Sequence, residues 1–276
     1  MKTNCQRIAF CGTRGSFSEI AAKRIFPHAE LTPTGSFKQA YDSTLLGKTD
    51  KTVLPLENSY AGEVAAVTDE LFQGDLFVQE VYSMRVVQNL IAIPGAKLSD
   101  ITAVISHPQA LSQCADYISK HGFREITSEN TAFAAKTVAG AGDRSMAAIA
   151  SEDSARANGL CILAKDIASA SENATRFAVL GRALPPESAG KRLILFFALK
   201  DESGALASSL ALIAAHGYNL KAIHSRPLKE KAWHYYFYAE AEKIGDRSEE
   251  TALLSEMKKH CTGVKIAGRF DPDKKI

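Results

Sequence analysis

Long apolar runs are missing from this 276-residue chain: the longest is the seven residues Leu193 to Leu199, against the roughly 20 that a membrane-crossing helix requires. A membrane partner is therefore not expected. Met1 to Arg7 is polar and only Ile8 to Cys11 follows as an apolar stretch, which is too little for a signal-peptide core and predicts a cytoplasmic protein. Cysteine is sparse: Cys5, Cys11, Cys114, Cys161 and Cys261 are odd in number and contain no C-x-x-C pair, which excludes a disulfide framework and a zinc motif. Excess charge is missing too. Lys plus Arg is 33 and Asp plus Glu is 31, a net charge of +2, so nucleic acid is not the expected partner and a small molecule is. No P-loop, H-E-x-x-H or Ser/His/Asp order is present, and no residue pattern calls for a metal or an organic cofactor.

What is there is ordinary globular material, 46% hydrophobic and 23% charged, long enough for two domains at roughly 150 residues each. From residue 7 to about 181, short β-branched runs alternate with amphipathic stretches, the rhythm of an α/β fold. Arg7 to Cys11 reads as a strand, and Ser16 with Glu19 reads as a capping box opening a helix that stops before Pro27. The same unit is expected at Ser36, at Thr52 to Leu56 running into Glu57-Asn58-Ser59, and at Ile101 to Ile105 running into Ser106-His107-Pro108-Gln109. Further units start at Asn130 and at Ser151, and Leu160 to Ala164 and Thr175 to Leu180 complete the strands.

Gly181 to Gly190, with Pro185 and Pro186, has linker composition, so the expected domains are residues 1–184 and 191–276 joined by 185–190. After it come strand Arg192 to Leu199, helix Gly204 to His216, strand Leu220 to Arg226, strand Trp233 to Glu240, helix Ser248 to His260 and strand Val264 to Phe270. This is βαββαβ, the ferredoxin-like order.

Several of the expected strand-to-helix turns carry small hydroxyl or amide residues: Ser16 and Ser18, Asn58 and Ser59, Ser106 and Gln109, Asn130 and Thr131. Gathered at one sheet edge, such helix N-termini would hold an anion with several carboxylate oxygens. Taken singly, each reads as an ordinary cap. Leu54 to Gly62 says more, because a carboxylate, an amide and a hydroxyl precede a glycine where capping needs only one of them. Asn173-Ala174-Thr175-Arg176-Phe177 is the other dense spot, placing at the start of an apolar strand an Arg whose fork suits a carboxylate. His107 reads as a base or, beside Pro108 at a helix start, as a cap.

Six segments together resemble the prephenate dehydratase family with its C-terminal ACT regulatory domain. They are Gly12 to Glu19, Leu54 to Gly62 (LPLENSYAG), Ser106 to Cys114 (SHPQALSQC), Asn130 to Ala135 (NTAFAA), Ala147 to Ser151 (AAIAS) and Asn173 to Phe177 (NATRF). Gly204-Ala205-Leu206 with Leu210, Gly217-Tyr218-Asn219-Leu220 and Ser225-Arg226-Pro227 resemble the ACT domain's phenylalanine-binding segments. The resemblance implies a two-lobed catalytic domain like a type II periplasmic binding protein, with lobes over about 7–80 plus 166–181 and about 85–165. It implies decarboxylative dehydration of prephenate to phenylpyruvate in L-phenylalanine synthesis, feedback control by phenylalanine, and pairing of ACT domains into a homodimer or homotetramer. With no chorismate mutase helix before residue 7, a monofunctional enzyme is expected.

The family's essential Thr falls on Thr175, a positioned hydrogen-bond donor to the leaving hydroxyl. Arg176 is expected to hold a substrate carboxylate, with Asn58, Ser59, Ser106, Gln109, Ser16, Ser18 and Phe177 as further contacts and Glu57 ordering the Asn58 turn. The chain departs from the family in Thr13, in Val87-Gln88-Asn89-Leu90 where a His often precedes a Leu pair, and in His224 where the regulatory motif usually begins with Glu. Three alternatives accompany this reading: arogenate dehydratase, a decarboxylase relative that retains the hydroxyl, and a non-catalytic amino-acid sensor.

Overall fold

The structure, a computed structural model, describes residues 5–169, 173–228, 235–244 and 250–276. Packing divides the chain into two compact units: one through Val64 with Tyr82–Phe177 and Lys275–Ile276, the other Ala65–Val81 with Ala178–Lys274. The boundaries between the units at Val81/Tyr82 and at Phe177/Ala178 both fall inside strands.

In the first unit, β1 (Arg7–Cys11) pairs in parallel with β2 (Glu30–Thr34) and with β3 (Lys51–Asn58). Between them lie α1 (Phe17–Ile25) and α2 (Phe37–Leu45). Ser16 caps α1 by accepting from the Glu19 N–H, but the reciprocal half of the expected capping box differs: Glu19 Oε2 accepts from Gly15 N–H at 2.6 Å. Ser36 caps α2 in the same way, accepting from the Gln39 N–H. No helix opens at Asn58. The strand continues through it, and β4 (Gly62–Glu63) turns back to pair antiparallel with Glu57 and Asn58. Gly62 sits at φ +77°, a conformation that disfavours side chains, which is why the hairpin closes there. The helix that follows, α3 (Ala65–Gln73), belongs to the second unit.

β5 (Phe77–Arg85) leads to a second sheet, built from β6 (Asn89–Ala92), β7 (Ala103–Ser106), β8 (Arg124–Thr127), β9 (Met146–Ala150) and β10 (Cys161–Ala164) in the order β10-β6-β9-β7-β8. Alternate residues divide between two helical layers, as strand geometry requires. Leu90, Val104, Ala147 and Ile149 face Leu111 of α4 (Pro108–Gln113) and Ile118 of α5 (Ala115–His121). Ile91, Ile105, Ala148 and Ala150 face Ala134, Ala135 and Val138 of α6 (Thr131–Ala141) and Ala155 of α7 (Glu152–Ala157). The chain then returns as β11 (Ala174–Gly181), beside β3 in the first sheet.

The second unit holds β12 (Arg192–Leu199), α8 (Ala205–Ala215), β13 (Tyr218–Pro227), β14 (Tyr235–Lys243), α9 (Glu250–His260) and β15 (Cys261–Phe270), the expected βαββαβ. Strand order is β13-β14-β12-β15, with β14 and β15 both antiparallel to β12. The expected strand start at Trp233 and helix start at Ser248 lie outside the described residues. Leu193, Leu195 and Phe197 pack with Ile213 of α8 and with Leu253 and Met257 of α9. Phe196, one register step over, meets the edge of Phe72 on α3, which stacks on Tyr236 with centroids 3.8 Å apart. Helix α3 thus covers the sheet face that α8 and α9 leave open.

Candidate active site

Strand ends and helix starts of the first unit enclose a cavity of about 680 Å³, within the usual size of small-molecule sites. Three helices of nine to eleven residues, α1, α2 and α6, open on it at their N-termini, as does the shorter α4. Their first N–H groups lack intrahelical acceptors and carry partial positive charge, so the cavity attracts carboxylates. No Lys or Arg stands in its lining among the described residues, and Glu129 is the acidic residue there.

Asn58 is the hub. Its Oδ1 accepts from the backbone N–H groups of Tyr60 and Ala61, both at 3.0 Å, and from Gln109 Nε2 at 3.2 Å. The two backbone donors fix which end of the amide is oxygen. Nδ2 therefore donates, reaching Asn173 Oδ1 at 2.9 Å, the Ala174 carbonyl at 3.2 Å and Thr175 Oγ1 at 3.0 Å. Because the Thr175 oxygen accepts here, its own hydroxyl hydrogen is left to point elsewhere. Thr175 is 9% exposed and lines the cavity. A hydroxyl with one lone pair occupied and its hydrogen uncommitted is a donor aimed by its surroundings.

Ser16, Ser18, Asn58, Gln109, Thr175 and Phe177 line the cavity. Arg176, Ser59 and Ser106 do not. Arg176 Nη1 donates to Glu57 Oε2 at 3.0 Å, so the carboxylate it meets belongs to the protein. Ser59 Oγ accepts from Ala174 N–H and ties the hairpin turn to β11. Ser106 is fully buried, its hydroxyl donating to the Ile149 carbonyl at 2.6 Å, because the strand runs one residue further than expected and turns it into the sheet. His107 caps α4: Nδ1 accepts from Gln109 N–H, and burial lowers its pKa below the ordinary value. That lone pair is spent on the cap, which removes His107 as a base through Nδ1. Three amide residues of the lining, Gln88, Gln113 and Asn173, were not among the expected substrate contacts. Gln113 and Asn173 lay inside segments that carried the resemblance, and what distinguishes them is that Asn173, which accepts from Asn58, donates through Nδ2 to Gln113 Oε1 at 2.9 Å.

The family model for prephenate dehydratase matches residues 8–184. The chain belongs to the prephenate dehydratase family. It is therefore a lyase, and the family activity, decarboxylative dehydration of prephenate, is the one read from the sequence. The chain is 33% identical to arogenate dehydratase/prephenate dehydratase 1 of Arabidopsis thaliana, covering 97% of this chain and 72% of that one. Among solved structures it resembles a prephenate dehydratase from Arthrobacter aurescens in complex with L-Phe, at TM-score 0.87, 27% identity and coverage of 96% and 90%. It also resembles GqqA, described as a novel type of quorum quenching acylase, at TM-score 0.87, 29% identity and 98% coverage of both chains. Among the described residues no helix is long and apolar enough to cross a membrane.

Proposed function

We propose that Thr175 delivers the hydrogen bond under which the ring hydroxyl of prephenate leaves. The observation that carries this is the Asn58 Nδ2 bond to Thr175 Oγ1, which leaves the Thr hydrogen uncommitted. The ring carboxylate departs as carbon dioxide, its bonding pair enters the ring, and the hydroxyl departs as water after gaining one proton from solution. The dianion and one proton thus give phenylpyruvate monoanion, carbon dioxide and water, and aromatisation drives the step. A threonine hydroxyl is too weak an acid to give up its proton outright, so it stabilises the leaving oxygen as a donor. The helix N-termini and the amides hold the carboxylates, while Arg176 stiffens the strand pair through Glu57.

The residues 191–276 are read as an ACT-type regulatory domain that takes L-phenylalanine at Gly204, Ala205, Leu206, Asn219, Leu220, His224, Ser225, Arg226 and Pro227. Gly204 caps α8 at φ +83°, while Asn219 to Pro227 lie along β13. Arg226 is already engaged: Nε and Nη2 both approach Asp69 Oδ1 at 2.9 Å. Pairing of this domain makes the enzyme a homodimer or homotetramer, working in the cytoplasm. Phenylalanine that changes neither the rate nor the melting temperature contradicts the regulatory part.

An acylase needs an activated nucleophile, and the histidine of this cavity has its Nδ1 lone pair occupied by the Gln109 N–H, so the cavity favours the dehydratase reading. Phenylpyruvate formation from prephenate at neutral pH, followed by ultraviolet absorbance, tests the reading. Turnover far above the spontaneous rate supports it. Carbon dioxide release with the hydroxyl retained points to the decarboxylase alternative, and saturable binding without turnover to the sensor.

A further inference from the structure

Asn58 imposes a direction on the amides beyond it. Its Nδ2 donates to Asn173 Oδ1, Asn173 Nδ2 donates to Gln113 Oε1 at 2.9 Å, and Gln88 Nε2 faces that same Gln113 oxygen at 3.5 Å. Gln113 Oε1 is the acceptor of this cluster, so Gln88 presents its nitrogen to it and its carbonyl oxygen is left over. Gln88 Oε1 has no hydrogen-bond partner among the described residues, on a side chain 3% exposed that lines the cavity. Gln113 Nε2 is without a partner among the described residues as well, a donor that a carboxylate of either substrate satisfies, whereas the Gln88 oxygen is satisfied by a ligand that brings a donor.

Apart from its ring hydroxyl, prephenate brings only acceptors: two carboxylates and a keto oxygen. Its amino counterpart, arogenate, carries an ammonium in place of the keto group and supplies the missing donor. Resting on the dehydratase reading above, we propose that Gln88 determines side-chain specificity, its carbonyl oxygen accepting from the α-ammonium of arogenate, so that the same cavity also converts arogenate to phenylalanine. The balance is the same: arogenate monoanion and one proton give zwitterionic phenylalanine, carbon dioxide and water. The 3.5 Å contact is the longest in the relay, and the final torsion of a glutamine is soft. Gln88 therefore turns its oxygen toward the ligand without disturbing the Asn173 to Gln113 bond.

The test compares kcat/KM for prephenate and for arogenate in the full chain and in Gln88→Met and Gln88→Glu, with folding checked by circular dichroism. The wild type is expected to turn over both substrates. Gln88→Met, which keeps the length and loses the acceptor, is expected to lower the arogenate-to-prephenate ratio of kcat/KM about tenfold, the loss of one such hydrogen bond. Gln88→Glu is expected to move the arogenate-to-prephenate ratio upward about tenfold through its charge. Equal losses on both substrates, or an unchanged ratio in a folded Gln88→Glu, overturn the proposal. So does a wild type that consumes prephenate and ignores arogenate. A wild type that consumes neither overturns the dehydratase reading, and the inference falls with it.

Discussion

The cavity of the first unit and the sheet of the second solve the problem of buried polarity in opposite ways. In the second unit, charges are paired: Arg192 meets Glu240 and Asp273 at 3.0 Å with Glu240 only 1% exposed, and Arg269 pairs with the 2% exposed Glu250. Around the cavity, neutral amides and a hydroxyl are linked in a fixed donor-to-acceptor order, and Arg176 is held by Glu57 outside the lining. Paired charges fix a framework, since separating them in a low dielectric is costly. Amides and helix N-termini can be oriented in advance and still hold an anion without trapping it.

Removing one partner of a paired charge gives the largest effect on stability. Arg192→Leu leaves Glu240 buried without its cation and is expected to cost about 3–5 kcal/mol in denaturant unfolding. Turnover per folded molecule should stay within about threefold, because a distant site adds independently. A large drop in kcat with unchanged stability would erase the contrast between the regions. Asn58→Asp tests the other side: it keeps the acceptor for Tyr60 and Ala61 but turns the donating end into an acceptor facing Asn173 and Thr175. Its kcat is expected to fall roughly 10²–10³-fold, the usual loss when a preorganised donor is removed, and a near-normal rate would show that the relay does not aim Thr175.

The smallest effect concerns pH. Burial holds His107 below its ordinary pKa of 6.5 in the folded protein, so the unfolded chain takes up the proton first. Stability is then present above about 6.5 and declines as pH falls through the folded value. His107→Asn, which keeps an acceptor for Gln109 N–H, should flatten the dependence of Tm on pH between 7 and 5. An unchanged slope would mean that other groups set it.

These outcomes also bear on what could be read from the chain. Helix starts were legible wherever one local interaction decides them, as Ser16, Ser36, Asn130 and Ser151 each accept from an N–H three residues on. The βαββαβ order was legible from alternation of strand and helix patterns. Asn58 was legible as a site residue but not as a hairpin, because its Asx turn and Gly62 imitate a helix start until the returning β4 is seen. Arg176 pairs with a glutamate 119 positions away, and Ser106 bonds a carbonyl 43 positions away. Local pattern carries no trace of either. The covering of the second unit's sheet by α3 escaped for the same reason, since Phe72 and Tyr236 meet only in the fold.

The central claim is that the Thr175 hydroxyl, oriented by Asn58, donates to the departing oxygen, and the most direct measurement is kcat on prephenate for Thr175→Ser beside Thr175→Val. The account predicts that Ser keeps activity within about tenfold while the isosteric Val, still folded, loses roughly 10²–10⁴-fold. A Val variant that turns over prephenate at the wild-type rate would contradict it.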